Sequence, residues 1–217
     1  MRVPISARMV ADLIESNKSV ERIITFDMHA EQEEGFFSIP VDNLTARSLF
    51  ATHLLNQLRA SKNRIVAIAP DFGGAVRTHR FAKSLGGVPV AIVQKRRTGP
   101  NKSEIVSIVG EPIDGASVAI FEDMIDTGGT IISTILALKE LGAREVYTSA
   151  THGIFSGNAS SNFEKHGLNI ACTNSIPRDS EFRGKNQWLN VVPIDNMLAE
   201  AIYESSLVGG SVSRLNL

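Results

Sequence analysis

Short apolar, β-branched runs alternate along this chain with longer stretches whose apolar residues recur at helical spacing. The strand-like runs are 22–27, 64–69, 89–93, 117–121, 145–150, 169–173 and 189–192. Several are apolar almost throughout, the pattern of strands covered by helices on both faces. Helical spacing is seen over 6–16, with Met9, Val10, Leu13 and Ile14, over 44–58, and over 130–141, with Ile131, Ile135, Leu138 and Leu141. Gly142 stands where that last helix would stop. The alternation predicts an α/β fold, a mostly parallel sheet with helices on both sides. No internal repeat or low-complexity tract interrupts it, and 98–103 (TGPNKS) reads as a mobile loop.

Composition narrows the function classes. With 43% hydrophobic residues over 217 positions, the chain can bury a core without staples. Its 22 Lys and Arg against 23 Asp and Glu leave a net charge of -1, not the basic excess of a nucleic-acid binder. The single cysteine, Cys172, excludes an intrachain disulfide and suits a reducing compartment. No run approaches the ~18 apolar residues of a membrane span, and the N-terminal residues lack the apolar core of a secretory signal. The expectation is a cytoplasmic protein that engages neither nucleic acid nor membrane.

In parallel α/β sheets ligands gather at the carboxyl ends of the strands, so the turns there are the places to look. The run 117–121 leads into Glu122, Asp123, Met124, Ile125, Asp126, Thr127, Gly128, Gly129 and Thr130, and then into a helix. Glycines let successive backbone N–H groups converge on an anion, and a helix N-terminus adds a favourable dipole. Thr127 and Thr130 supply hydroxyls. No G-x-x-x-x-G-K-[ST] occurs, so the pattern is a phosphate cradle without a P-loop lysine. Carboxylates repel phosphate but accept hydrogen bonds from a sugar diol. Glu122 and Asp123 beside the cradle therefore describe a ribose phosphate site.

Residues 122–130 resemble the ribose-phosphate signature of type I phosphoribosyltransferases. Further segments narrow the resemblance to the ribose-phosphate diphosphokinase (phosphoribosyl-diphosphate synthetase) family. The run FDMHAEQEEGFFSIPVDNL after 22–27 is similar to that family's D-x-H-x-x-Q-x-x-G-F-F-x-I-P-V-D-N-L segment. The resemblance implies that His29 faces the ATP phosphates and helps hold magnesium, with Gln32, Gly35, Phe36 and Phe37 as structural positions. Pro70-Asp71-Phe72-Gly73-Gly74 resembles the family's P-D-x-G-G loop. It implies Asp71 as a magnesium ligand and Gly73 and Gly74 as a diphosphate cradle, in keeping with the preference of Mg2+ for one or two carboxylates plus phosphate oxygens. A protein-kinase reading of Asp-Phe-Gly fails, because the glycine-rich loop and catalytic loop of kinases are missing.

Gln94-Lys95-Arg96-Arg97 resembles the family's flexible catalytic loop, in which a K-x-R pair closes over the transferring group. Lys95 and Arg97 match that pair, and Gly99 stands where many relatives carry another basic residue. T-H-G-I-F-S-G from Thr151 and T-N-S-I-P from Thr173 also match, with His152 as readily structural as ligating. Glu122 departs from the family's more common Asp.

The resemblance thus implies a phosphoribosyltransferase-like sheet over 45–217, with 1–44 as the remnant of a second, similar domain. The strand at 22–27 would then lack sheet neighbours. The implied function is transfer of the diphosphoryl group of ATP to ribose 5-phosphate, giving phosphoribosyl diphosphate and AMP, with Mg2+ as cofactor. Implied partners are ATP, ribose 5-phosphate and a homo-oligomer or a related synthetase subunit. The alternative is a non-catalytic, regulatory subunit associated with a full-length synthetase. A salvage phosphoribosyltransferase leaves the His29 segment unexplained.

Overall fold

All seven runs with strand-like patterning form strands, in a computed structural model that describes residues 6–58, 63–99, 102–207 and 210–216, without the side chains of 95–99, 102–106, 214 and 216. In chain order the elements are α1 (Ser6–Glu15), β1 (Ile23–Phe26), β2 (Val41–Leu44), α2 (Arg47–Leu58), β3 (Ile65–Ala69), α3 (Ala75–Ser84), β4 (Val90–Gly99) and β5 (Lys102–Gly110). They continue as β6 (Ser117–Ile125), α4 (Gly129–Glu140), β7 (Glu145–Gly153), α5 (Ala159–Lys165), β8 (Ile170–Thr173), α6 (Ser180–Lys185), β9 (Leu189–Val192) and α7 (Asp195–Ser206). The chain divides into two compact units, Met1–Ala46 with Asp195–Leu217, and Arg47–Ile194. Among the described residues no helix is long and apolar enough to cross a membrane.

The larger unit is one seven-stranded sheet in the order β5-β4-β3-β6-β7-β8-β9. Every pairing is parallel except β4 with β5. One face is packed by α2 and α3, where Phe50 and Phe81 meet Phe121 of β6 at ring-centroid distances of 5.8 and 5.3 Å. The other is packed by Ile131, Ile132, Ile135 and Leu138 of α4 and by Phe163 of α5, which stacks on Trp188 at 4.8 Å. Val66, Ala67, Ile68 and Ala69 of β3 are wholly buried, as the unbroken apolar run requires.

The chain leaves β3 towards β4 on one side and β6 towards β7 on the other, while β3 and β6 are themselves neighbours. Strand order therefore reverses between β3 and β6. Such a switch point opens a crevice at the carboxyl ends of the two strands, where ligands of α/β folds bind.

Three expectations are corrected. The segment from Gln94 to Gly99 is strand rather than loop: β4 runs on and pairs antiparallel with β5 as far as Gly99 opposite Lys102. Only Pro100 and Asn101 of the presumed mobile loop lie outside the described residues. β5 carries a β-branched run, Ile105, Val106, Ile108 and Val109 around Ser107, and is absent from the strands predicted above. Second, β6 extends through Ile125, which places Glu122 and Asp123 on a strand end. Third, β1 is not alone, since β2 pairs with it in parallel from Ile23 opposite Val41 to Phe26 opposite Leu44.

In the smaller unit α1 is tied to the turn at Glu31–Phe36 and to the two residues Ser38 and Ile39 beyond it. Arg8 Nη1 donates to the carbonyl of Phe36 at 2.7 Å, and Glu15 accepts from the N–H groups of Ser38 and Ile39. Ala11 is buried, yet Met9, Val10, Leu13 and Ile14 are 59, 48, 64 and 38% exposed. The apolar stripe read from the sequence exists, but within the described residues it stays largely uncovered.

Candidate functional site

The crevice between β3 and β6 is lined by Pro70, Asp71, Glu122, Met124, Ile125, Asp126, Thr127, Gly128, Gly129, Thr130 and Ile131, around a cavity of about 220 Å³. Asp71, Glu122, Asp126, Thr127, Gly128, Gly129 and Thr130 are thereby brought together from the β3–α3 turn and the β6–α4 segment, distant in sequence. Gly73 and Gly74 belong to the same β3–α3 turn: a Cβ at Gly74 would lie 3.6 Å from Glu122 Oε1. A larger cavity of about 630 Å³, lined among others by Phe50, His53, Tyr147 and Trp188, contains none of the candidate residues. Chemistry rather than size selects the site.

The cradle half is built by α4. Its N-cap is Gly128, with φ 75° and no side-chain capping bond. A Ser or Asp cap would occupy an N–H of the first turn; here those donors are left to whatever enters the cavity, along with the positive end of the helix dipole. The two glycines have different reasons to be there. A Cβ at Gly128 would come within 2.8 Å of Phe163 Cζ, whereas a Cβ at Gly129 would meet nothing within 4 Å. Gly128 is demanded by the fold, whereas the packing around Gly129 leaves room for a side chain.

The acidic half contains a contact that the motifs did not show. Arg77, in the first turn of α3, places Nη1 2.6 Å from Glu122 Oε2 and Nη2 3.1 Å from Asp123 Oδ2. Successive strand residues point to opposite faces, yet one forked guanidinium reaches both carboxylates at the end of β6. Asp123 also accepts from the N–H of Met124 at 2.8 Å and is 4% exposed. It does not line the cavity; Glu122 does. Sequence reasoning read past Arg77 because a single arginine on a helix carries no motif signal.

Asp71 is exposed, and its Oδ1 accepts from the N–H of Gly74 at 3.1 Å, which fixes the turn between β3 and α3. His152 pairs through Nδ1 with Ser175 Oγ at 2.9 Å, and Thr173 Oγ1 donates to the Thr151 carbonyl at 2.6 Å. The T-H-G and T-N-S segments are thus bound to each other, and His152 has a structural partner. Arg178 holds the carbonyls of Gly153 and Ile154 at 2.7 and 2.6 Å and extends that framework.

Lys95 and Arg97 stand opposite Ile105 and Ser103 on the β4–β5 ribbon, and their side chains lie outside the described residues. His29 belongs to the smaller unit, exposed beyond the end of β1. The backbone there is set by Asp27, which has φ 39° and accepts from the N–H of Ala46 at 2.9 Å. Gln32, Gly35 and Phe36 sit in the turn at Glu31–Phe36, and Phe37 caps it. Among the described residues no three His, Cys, Asp or Glu side chains are grouped to hold a metal.

A mostly parallel sheet whose switch point sets a glycine-capped helix start beside carboxylates has the phosphoribosyltransferase-like fold. The solved phosphoribosylpyrophosphate synthetase of Mycobacterium smegmatis superposes with a TM-score of 0.80 at 33% identity, over 94% of this chain and 65% of that one. Residues 78–215 match the phosphoribosyl synthetase-associated domain, and the chain belongs to that family. Among curated relatives, the ribose-phosphate pyrophosphokinase of Vibrio parahaemolyticus is 43% identical over 202 residues, 93% of this chain and 62% of the relative. That of Clostridium acetobutylicum is 40% identical over 205 residues, 94% of this chain and 63% of the relative. The resemblance read from the motifs is borne out, and the chain spans less than two thirds of the length of these relatives.

Proposed function

We propose that the protein is a ribose-phosphate diphosphokinase whose ribose 5-phosphate site is the crevice between β3 and β6. The observation that carries this reading is the meeting, in one cavity, of the uncapped start of α4 with Glu122 and Asp71. The 5-phosphate would lie against the N–H groups and hydroxyls of Thr127, Gly129 and Thr130, with the sugar towards Glu122. The C1 hydroxyl then attacks the β-phosphorus of ATP. The bond to the α,β-bridging oxygen breaks, AMP leaves, and the hydroxyl proton is released. Catalysis of this type is mostly positioning and charge neutralisation.

The oxygen donors at the crevice suit a hard divalent cation, which takes one or two protein carboxylates and completes its shell with phosphate oxygens and water. Asp71, exposed at the cavity and oriented by its bond to Gly74, would hold Mg2+. The ion would neutralise charge on the nucleotide phosphates. His29 is proposed as a phosphate- or metal-facing residue, and Lys95 and Arg97 as the cations that close over the transferring group.

A second reading, an associated subunit of a full-length synthetase, is favoured by the exposed stripe of Met9, Val10, Leu13 and Ile14 on α1, an apolar patch that marks an interaction surface. One experiment separates the two. AMP formation from ATP and ribose 5-phosphate with Mg2+, lost in Lys95→Ala, supports the enzyme. Saturable ribose 5-phosphate binding without turnover refutes an independent enzyme and supports the subunit.

A further inference from the structure

The acid pair in this site is not a pair of equals. Asp123 is 4% exposed, does not border the cavity, and has both oxygens committed, Oδ1 to the N–H of Met124 and Oδ2 to Arg77. To reach a sugar it would have to abandon the guanidinium and leave a charge unpaired in a largely buried setting, which is costly. Glu122 borders the cavity, 19% exposed at its side chain. Its Oε2 is gripped by Arg77 at 2.6 Å, and its Oε1 lies on the Gly74 side. Arg77 thus bridges two unlike carboxylates, Asp123 buried and Glu122 at the cavity.

We infer that Arg77 is a positioning residue for sugar recognition: anchored on buried Asp123, it fixes Glu122 as the one carboxylate that receives the ribose hydroxyls. The inference rests on the ribose 5-phosphate reading of the cavity and assigns the division of labour within it. Two physical arguments support it. Two bare carboxylates beside a phosphate cradle would repel the ligand, and Arg77 reduces their joint charge from -2 to -1. A glutamate also has freely rotating bonds, and a guanidinium anchored on Asp123 through its other nitrogen limits that freedom before the ligand arrives, so less ordering is left to be done on binding.

The test is calorimetric binding to the full chain of three probes: ribose 5-phosphate, 2-deoxyribose 5-phosphate, which lacks one diol hydroxyl, and inorganic phosphate. Loss of a charge-assisted hydrogen bond corresponds to roughly ten- to hundred-fold in affinity, so the unsubstituted protein should prefer ribose over deoxyribose by about that factor. In Arg77→Gln the preference should collapse to within about twofold, while inorganic phosphate, which loses only the charge neutralisation, should weaken by less than ribose 5-phosphate does. Asp123→Asn, which keeps an acceptor for Met124 N–H, should shift the preference in the same direction. Arg77→Lys, which retains the charge but not the fork, should recover part of it. If Arg77→Gln does not fold, Asp123→Asn and Arg77→Lys carry the same comparison. Equal weakening of all three probes would reduce Arg77 to a structural contact and overturn the inference, as would an unchanged preference. An unsubstituted protein that binds neither sugar phosphate overturns the reading of the cavity and this inference together, a result distinct from binding without Arg77 dependence.

Discussion

Replacing Gly128 and Gly129 one at a time by alanine should give opposite results, although they are adjacent in the same motif. At Gly128 the backbone has φ 75°, and a Cβ would lie 2.8 Å from Phe163 Cζ and 3.0 Å from Cε2. Holding a non-glycine residue in the left-handed region costs about 1–2 kcal/mol. Phe163 cannot easily retreat, being wholly buried with its ring against Trp188 at 4.8 Å and Phe155 at 6.0 Å. Forcing a methyl into such packing costs about 1–3 kcal/mol. Gly128→Ala should therefore lose roughly 2–5 kcal/mol by the sum of these terms. Gly129 is the first residue of α4, and a Cβ there meets nothing within 4 Å. Its alanine variant should be as stable as the parent or gain up to ~1 kcal/mol of helix propensity, while inorganic phosphate binding weakens because a methyl enters the cavity. Urea unfolding followed by fluorescence of Trp188, the chain's single tryptophan, reads the first quantity at the packing contact itself. The reasoning is refuted if Gly128→Ala stays within ~0.5 kcal/mol of the parent, the range of an ordinary surface substitution. It is refuted equally if Gly129→Ala is the destabilised variant.

Three shorter predictions concern other residues. Burial pushes the Cys172 thiol up to about 12, so it should resist alkylation at pH 8 in the folded protein and react once urea unfolds it; rapid native labelling would show that β8 is not sealed. Burial lowers the His53 pKa below its ordinary value, and its Nε2 faces the side-chain amides of Gln57 and Asn190, each at 3.0 Å. A depressed folded-state pKa means that this contribution to stability is present above the unfolded value and lost as pH falls through the folded one. The urea midpoint should accordingly drop on acidification by more in the parent than in His53→Gln, and parallel pH profiles would count against the reading. Asp71→Asn preserves the acceptor for Gly74 N–H but removes the charge. It should abolish Mg2+-dependent diphosphate binding with little change in inorganic phosphate binding, and retention of the Mg2+ dependence would move the metal elsewhere.

Where the sequence was readable, the reason was burial. β3 and β6 are packed on both faces, so their apolar runs stand out, and the helix α4 that follows β6 buries Ile131, Ile135 and Leu138 of the stripe read from the sequence. The strand–turn–helix of the candidate site was readable because its parts are contiguous: a strand, two carboxylates, a glycine turn and a helix start succeed one another within a short span. β5 was missed although Ile105, Val106, Ile108 and Val109 carry a β-branched signal, because the cations and the TGPNKS stretch just before it read as a loop. Nor was the end of β6, because Glu122 and Asp123 look like loop residues until their partner is known.

That partner, Arg77, shows which information a motif leaves out. It lies 45 positions before Glu122 and is brought to it only because β3 and β6 are neighbours and α3 starts beside both. A charge at the third position of a helix is ordinary in one dimension and is normally read as solvated surface. The fold converts it into a half-buried counter-charge for two carboxylates. In the proposed site the motif supplies the groups that would touch a ligand. The sheet order supplies the group that would make two adjacent acids compatible with an anionic one, and a local pattern search has no access to it.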